Sequence, residues 1–201
     1  MPKSLTAFVL AGGRSTRMGT DKAFLTVGGE TLMSRALKTL DAVASDVRIV
    51  GSAEKFGGDR QVVEDIFPGC GPLGGIHAAL ASSPSDLNLM LAVDLPFIHT
   101  EFLHFLIGRA EDSGATVTVS RSDGRFHPLC AVYGKSFGEV AGQALRAGKN
   151  KIDALFADVR TMVLEQAELE ARGFSPEVFR NLNTPSDWEQ ARKLFPEAPS
   201  N

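Results

Sequence analysis

Only two cysteines occur in the 201 residues, Cys70 and Cys130, and neither has a C-x-x-C or Cys/His ligand spacing. That argues against a zinc site and a disulfide framework, and leaves both as buried or bystander thiols. No apolar run approaches membrane-spanning length, and Met1-Pro2-Lys3-Ser4-Leu5 reads straight into a core strand without a signal-peptide apolar region. No membrane partner is expected, and the expected location is the cytoplasm. Basic excess is absent too: 21 Lys plus Arg face 24 Asp plus Glu, for a net charge of -3. This argues against a broad nucleic-acid-binding field and leaves room for a local basic pocket. With no proline-rich or low-complexity break and no internal repeat, residues 1–201 read as a single domain with a sizeable core. Two phosphate fingerprints are also missing. G-x-G-x-x-G does not occur, and Gly13 to Gly19 leads into Thr20-Asp21-Lys22, so the G-x-x-x-x-G-K-[ST] pattern is not matched.

What is present is a loop, Leu10-Ala11-Gly12-Gly13-Arg14-Ser15-Thr16-Arg17-Met18-Gly19-Thr20-Asp21-Lys22, behind the apolar strand Leu5 to Leu10. Its glycines let backbone N–H groups approach an anion, and Arg14, Arg17 and Lys22 supply three cations. A phosphate cradle and a plain glycine-rich turn both fit this composition.

Further along, Leu32, Met33, Ala36, Leu37 and Leu40 have the spacing of an amphipathic helix, and Val47–Val50 and Gln61–Val63 read as short strands. The text from Asp65 to Gly75 is too rich in glycine and proline for a regular element, and a helix is expected near Ile76 to Ala81. Asn88 to Val93 is a continuous apolar strand ending on Asp94-Leu95-Pro96. Thr100 is expected to cap the next helix, and strands follow at Ala115–Ser120, Leu129–Tyr133 and Val159–Leu164. Helices are expected through Val140, Ala144 and Leu145 and around Ile152 to Phe156, and a terminal helix carries Trp188, Ala191 and Leu194. This alternation implies an α/β fold: a mostly parallel sheet flanked by helices, with antiparallel additions in the second half. Ligands bind such sheets beyond the carboxyl ends of the strands, so the first loop, Asp65 and Asp94 share one rim.

A triphosphate held there would need cations on its oxygens and a carboxylate to seat Mg²⁺. Asp94 fits that carboxylate, and equally a turn before Leu95-Pro96. Asp65 fits a base or sugar contact, or a cap. His77, His99 and His104 read as surface or packing residues. Arg125 with His127 suits an anionic second substrate, and equally a solvated hairpin turn.

Four motifs stand out: Leu10-Ala11-Gly12-Gly13-x-Ser15-x-Arg17-Met18-Gly19-x-Asp21-Lys22; Glu64-Asp65 with Gly71-Pro72-Leu73-Gly74-Gly75; Asp94-x-Pro96-Phe97; and Asn181-x-Asn183-Thr184-Pro185. Taken together they resemble the molybdenum cofactor guanylyltransferase family. The resemblance implies a Rossmann-like nucleotidyltransferase fold. It also implies transfer of GMP from Mg-GTP to the terminal phosphate of molybdopterin or its molybdenum form, with pyrophosphate leaving. Residue by residue, it implies nucleotide contacts from Leu10, Ala11, Gly12, Gly13, Lys22 and Asp65, with Mg²⁺ on Asp94. Arg17, Lys22 and Asp94 would serve the chemistry, and Asn181, Asn183, Arg125 and His127 the acceptor. Implied partners are GTP, the pterin, and transient contacts with cofactor-biosynthesis proteins or acceptor apoenzymes.

Val93 stands where relatives often have Cys, and Gly51-Ser52 where some have a nucleoside-contacting Asn. Gly12-Gly13 favours guanine, since cytidine-transferring relatives tend to read Leu-Ala-Ala-Gly. The alternatives are a transferase using CTP or another phosphorylated acceptor, and a non-catalytic nucleotide-binding module.

Overall fold

The computed structural model describes residues 4–12 and 21–195. β1 (Leu5–Leu10) enters the sheet directly, and a small hairpin, β2 (Thr26–Val27) with β3 (Glu30–Thr31), precedes α1 (Leu32–Asp41). Thr31 caps α1 by accepting from the Ser34 N–H at 3.1 Å, which satisfies a donor the first helical turn leaves free. Next come β4 (Asp46–Val50), α2 (Ala53–Phe56), β5 (Val62–Val63), α3 (Pro72–Ser82) and β6 (Leu87–Ala92). The second half runs α4 (Thr100–Ser113), β7 (Val117–Ser122), β8 (Arg125–Gly134), α5 (Phe137–Arg146), β9 (Thr161–Glu165), α6 (Gln166–Ala171) and α7 (Pro185–Leu194).

The main sheet has the order β5-β4-β1-β6-β8-β7-β9. β8 runs antiparallel to both its neighbours, β6 and β7, and every other pairing is parallel. The antiparallel addition expected in the second half is therefore one strand.

Two cores lie on opposite faces of the sheet. Ala7 and Val9 of β1 and Leu89 and Leu91 of β6 pack with α1 and α4. Phe8 and Met90, one residue out of step, pack with α3 and α5. Alternate side chains of a strand point to opposite faces, so a strand covered on both reads as an unbroken apolar run. All six residues of β6 are accordingly buried.

Several boundaries differ from the sequence expectation: β8 begins at Arg125 rather than Leu129, β7 and β9 are displaced by two residues at their starts, and two helices begin elsewhere. α3 begins at Pro72, so Gly74 and Gly75 are helical rather than part of the loop. Proline suits a first helical turn because its missing N–H has no intrahelical partner there anyway. Close packing explains the glycines: a Cβ at Gly74 would lie 2.7 Å from both Asp65 carboxylate oxygens, and one at Gly75 3.3 Å from Val50 Cγ1. At α4 the cap is His99, whose Nδ1 accepts from the Phe102 N–H at 3.4 Å, and Thr100 is the first helical residue. The segment near Ile152 to Phe156 is a 3-10 helix, Asp153–Asp158.

Candidate functional site

Three backbone hydrogen bonds continue the sheet past its strand ends. The Ala11 N–H donates to Val50 O at 2.9 Å, Gly51 N–H to Val63 O at 3.0 Å, and Val93 N–H to Leu10 O at 3.2 Å. They hold the loops after β1, β4, β5 and β6 side by side, so Leu10, Ala11, Gly12, Asp65 and Asp94 share one rim. Gly13 and Arg17 lie outside the described residues.

Lys22 returns to this rim in a short 3-10 turn, Lys22–Phe24. Asp21 anchors the turn from both sides of its carboxylate: Oδ1 accepts from the Ala23 N–H at 3.2 Å, and Oδ2 from Lys55 Nζ at 2.8 Å. Lys55 belongs to α2, whose Phe56 ring stacks on Phe24 with centroids 5.7 Å apart. Gly51 is required for that docking, because a Cβ there would lie 2.9 Å from the Phe56 ring. The Gly51-Ser52 text, which departs from an Asn-bearing pattern, thus has a packing reason.

From this turn Lys22 Nζ donates to Asp94 Oδ2 at 3.0 Å and to Asn183 Oδ1 at 2.5 Å. The Lys22 and Asp94 side chains retain 18% and 17% exposure, so the ion pair is only partly screened and still reachable by a ligand. The segment carrying Asn183 is bound to the same strand end, with the Leu182 N–H donating to Asp94 O at 3.0 Å. Two motifs on either side of the expected donor and acceptor halves therefore meet at one ammonium.

Asp65 Oδ1 accepts from the Phe67 N–H at 2.8 Å, and its carboxylate lies against the first turn of α3, over Gly74. A carboxylate there is favoured by the partial positive charge of the helix N-terminus. His77, further along α3, is a packing residue set edge-on to Phe67 with centroids 5.1 Å apart. Burial first, then the nearby Arg146 charge, lowers its pKa.

The pairing of β8 with β6 ends at Cys130, while β8 itself starts at Arg125. That overhang carries Arg125 and His127 beyond the end of β6, towards the rim. Arg125 is exposed. His127 is engaged otherwise: Nε2 is 2.7 Å from Ser122 Oγ, and the ring lies flat on Phe179 with centroids 3.8 Å apart and planes 7° apart. Burial lowers its pKa to about 4, which favours the uncharged ring near neutrality. Phe179 lies two residues before Asn181, so the chain from Phe179 to Asn183 runs from His127 to Lys22. Asn181 itself is half-buried in that segment.

Ser122 and Phe179 were not singled out by sequence. A buried serine on a strand and a phenylalanine before a loop have no distinctive spacing, and only the stack on His127 reveals them. A groove of about 510 Å³, lined by residues including His77, Lys135, Glu139 and Arg146, lies between α3 and α5, and no rim residue lines it.

A mostly parallel sheet whose rim gathers a glycine-bearing loop, a lysine and a carboxylate has the architecture of a nucleotidyltransferase, and residues 7–164 match the MobA-like NTP transferase domain. A Pelotomaculum thermopropionicum protein named "Probable molybdenum cofactor guanylyltransferase" is 40% identical over 94% of this chain and 92% of its own length. "Molybdenum cofactor guanylyltransferase" of Desulfosudis oleivorans is 32% identical over 94% of each. Among solved structures, molybdopterin-guanine dinucleotide biosynthesis protein A from Archaeoglobus fulgidus superposes with a TM-score of 0.83 at 26% identity, covering 94% of this chain and 97% of that one. The chain belongs to the molybdenum cofactor guanylyltransferase family.

The fold is shared more widely. A Thermus thermophilus 2-C-methyl-D-erythritol 4-phosphate cytidylyltransferase at 20% identity has a TM-score of 0.69.

Proposed function

We propose that this protein transfers the GMP of GTP to the terminal phosphate of molybdopterin, or of its molybdenum form, releasing pyrophosphate. The observation that carries the proposal is the meeting of Lys22, Asp94 and Asn183 at one rim, on a chain whose relatives bear the guanylyltransferase name. Leu10, Ala11, Gly12 and Gly13 would line the nucleotide, and Asp65 would receive its nucleoside part. Asn181, Asn183 and Arg125 would face the acceptor. His127 would contribute a neutral ring, braced by Ser122 and Phe179, to the same wall.

Among the described residues no cluster of three or more His, Cys, Asp or Glu could hold a metal. The donor set at the rim is instead the single carboxylate of Asp94, partly exposed and facing an ammonium. That fits Mg²⁺, which takes one or two protein carboxylates and completes its shell with water and phosphate. Asp94 would hold it, and when bound it supplies positive charge for the phosphates.

The protein's own part is positioning and charge. Lys22, and Arg17 from the first motif, offset charge on the departing pyrophosphate. The acceptor phosphate is already an anion and needs no general base. In-line attack at the α-phosphorus forms the new P–O bond as the bond to the β-phosphate's bridging oxygen breaks, and the electron pair leaves with pyrophosphate. Holding both substrates in line converts this into an effectively unimolecular step. No protein nucleophile is needed.

A cytoplasmic protein with GTP and the pterin as substrates, and transient contacts with cofactor-biosynthesis proteins or acceptor apoenzymes, follows from this reading. Pyrophosphate release measured with GTP, CTP, ATP and UTP in the presence of Mg²⁺ and molybdopterin tests it. Release with GTP is expected. Release with CTP alone, or equal release without the pterin, would overturn the assignment.

A further inference from the structure

A lysine that serves a phosphate has a difficulty. Its ammonium is a point charge on a flexible four-carbon stem, and that stem must be aimed. At this rim Asp94 holds Lys22 at 3.0 Å, but a metal ion drawn to the same carboxylate competes for that hold. Asn183 does not share the conflict. Its side-chain carbonyl accepts from Lys22 Nζ at 2.5 Å, and as a neutral oxygen it neither competes strongly for a magnesium ion nor repels a triphosphate. An amide in this place fixes the lysine without adding negative charge to a site built for an anion.

The backbone that carries Asn183 is itself fixed relative to Asp94. The Leu182 N–H donates to Asp94 O at 3.0 Å. The Asn183 N–H donates to Asp187 Oδ2 at 3.1 Å, and the Thr184 N–H to the same oxygen at 2.8 Å, within the cap of α7. Residues 182–184 thus form a bracket between the end of β6 and the start of α7, and the Asn183 side chain projects from it onto Lys22.

We infer that Asn183 is a positioning residue for the donor nucleotide: through its side-chain carbonyl, the segment expected to serve the acceptor aims the Lys22 ammonium at the triphosphate. The inference rests on the proposed placement of the triphosphate at Lys22. It gives Asn183 work before any acceptor arrives, which a residue serving the acceptor alone would not do.

The test is Mg-GTP binding by calorimetry with no acceptor present, on the wild-type chain, Asn183→Ala, Lys22→Ala and the double variant. Asn183 is exposed and its backbone hydrogen bonds survive truncation, so Asn183→Ala keeps the fold, as a matching melting curve would verify. A charge-assisted hydrogen bond in a partly solvated place predicts about three- to tenfold weaker GTP binding in Asn183→Ala. Because the effect acts through the lysine, Asn183→Ala should add nothing in the Lys22→Ala background.

Unchanged GTP affinity in Asn183→Ala would overturn the inference, as would an equal loss in both backgrounds. Absence of GTP binding by the wild-type chain would overturn it together with the functional reading. If the wild-type chain binds GTP but forms no dinucleotide with the pterin, the functional reading fails while the cycle still decides the role of Asn183.

Discussion

Several contacts converge on Asp94: its side chain faces Lys22, its carbonyl receives the Leu182 N–H, and it lies two residues past the end of the fully buried β6. Asp94→Ala keeps the backbone contact and removes the carboxylate. It is expected to lower kcat by about a hundredfold or more, as loss of a preorganised charge in a transfer site does, while the thermal melt stays close to wild type. Near-normal turnover in the folded variant would remove Asp94 from the chemistry. At His127 the expectation concerns pH. Burial lowers its folded pKa from an ordinary 6.5 to about 4, so the folded state excludes a proton that the unfolded chain accepts. The contribution is fully present above pH 6.5 and is lost as pH falls from 6.5 towards 4. After allowance for the ring's partial exposure the loss is roughly 1–2 kcal/mol. Urea unfolding at stepped pH should show that acid limb, and His127→Phe should flatten it. A limb of unchanged slope would mean that other groups carry it.

Among the elements, the first turn of α3 positions Asp65, the residue proposed to receive the nucleoside part. A Cβ on Gly74 would meet the Asp65 carboxylate, so Gly74→Ala must push Asp65 off its hydrogen bond from the Phe67 N–H. Alanine is the better helix former by about 1 kcal/mol, which opposes loss of stability. GTP binding is therefore expected to weaken about threefold to tenfold, the range for a displaced polar contact, without a drop in melting temperature. Unchanged GTP affinity would show that Asp65 does not touch the nucleotide. The cap of α7 is the second such element. Thr184 Oγ1 accepts from the Asp187 N–H at 3.2 Å, while Asp187 Oδ2 accepts from the Thr184 hydroxyl at 2.8 Å and from the Thr184 and Asn183 N–H groups; the hydroxyl first, then the Thr184 N–H, lower the Asp187 pKa. Thr184→Ala should cost about 1 kcal/mol of stability and loosen the bracket that carries Asn183. A melt identical to wild type would contradict that.

For the molecule as a whole, the sheet was legible wherever a strand is buried on both faces: Leu5–Leu10 and Asn88–Val93 declare themselves by apolar continuity, and their carboxyl ends locate the rim. The start of α3 was not legible, because Gly71-Pro72-Leu73-Gly74-Gly75 has loop composition and its glycines answer to close approach by Asp65 and Val50, contacts far off in sequence. Lys22, Asp65, Asp94 and Asn183 were legible as motif members, but the contact between Lys22 and Asn183 was not. Lys22 and Asn183 lie at opposite ends of the chain, and only the sheet order and the Leu182 to Asp94 hydrogen bond bring them together. The Arg and His beside a strand start suited an anionic second substrate and a solvated hairpin turn equally. The stack of His127 on Phe179 and the ring's buried neutral state depend on a segment some fifty residues later.

The proposed function requires one rim to join a GTP donor to a pterin phosphate acceptor. The most direct measurement is incubation of the protein with Mg-GTP and molybdopterin, with mass detection of the product and quantitation of pyrophosphate. The expected products are the guanine dinucleotide of the pterin and one pyrophosphate per product molecule, both absent when either substrate is omitted. GTP consumed without a dinucleotide, or a dinucleotide formed only with CTP, would contradict the proposed function.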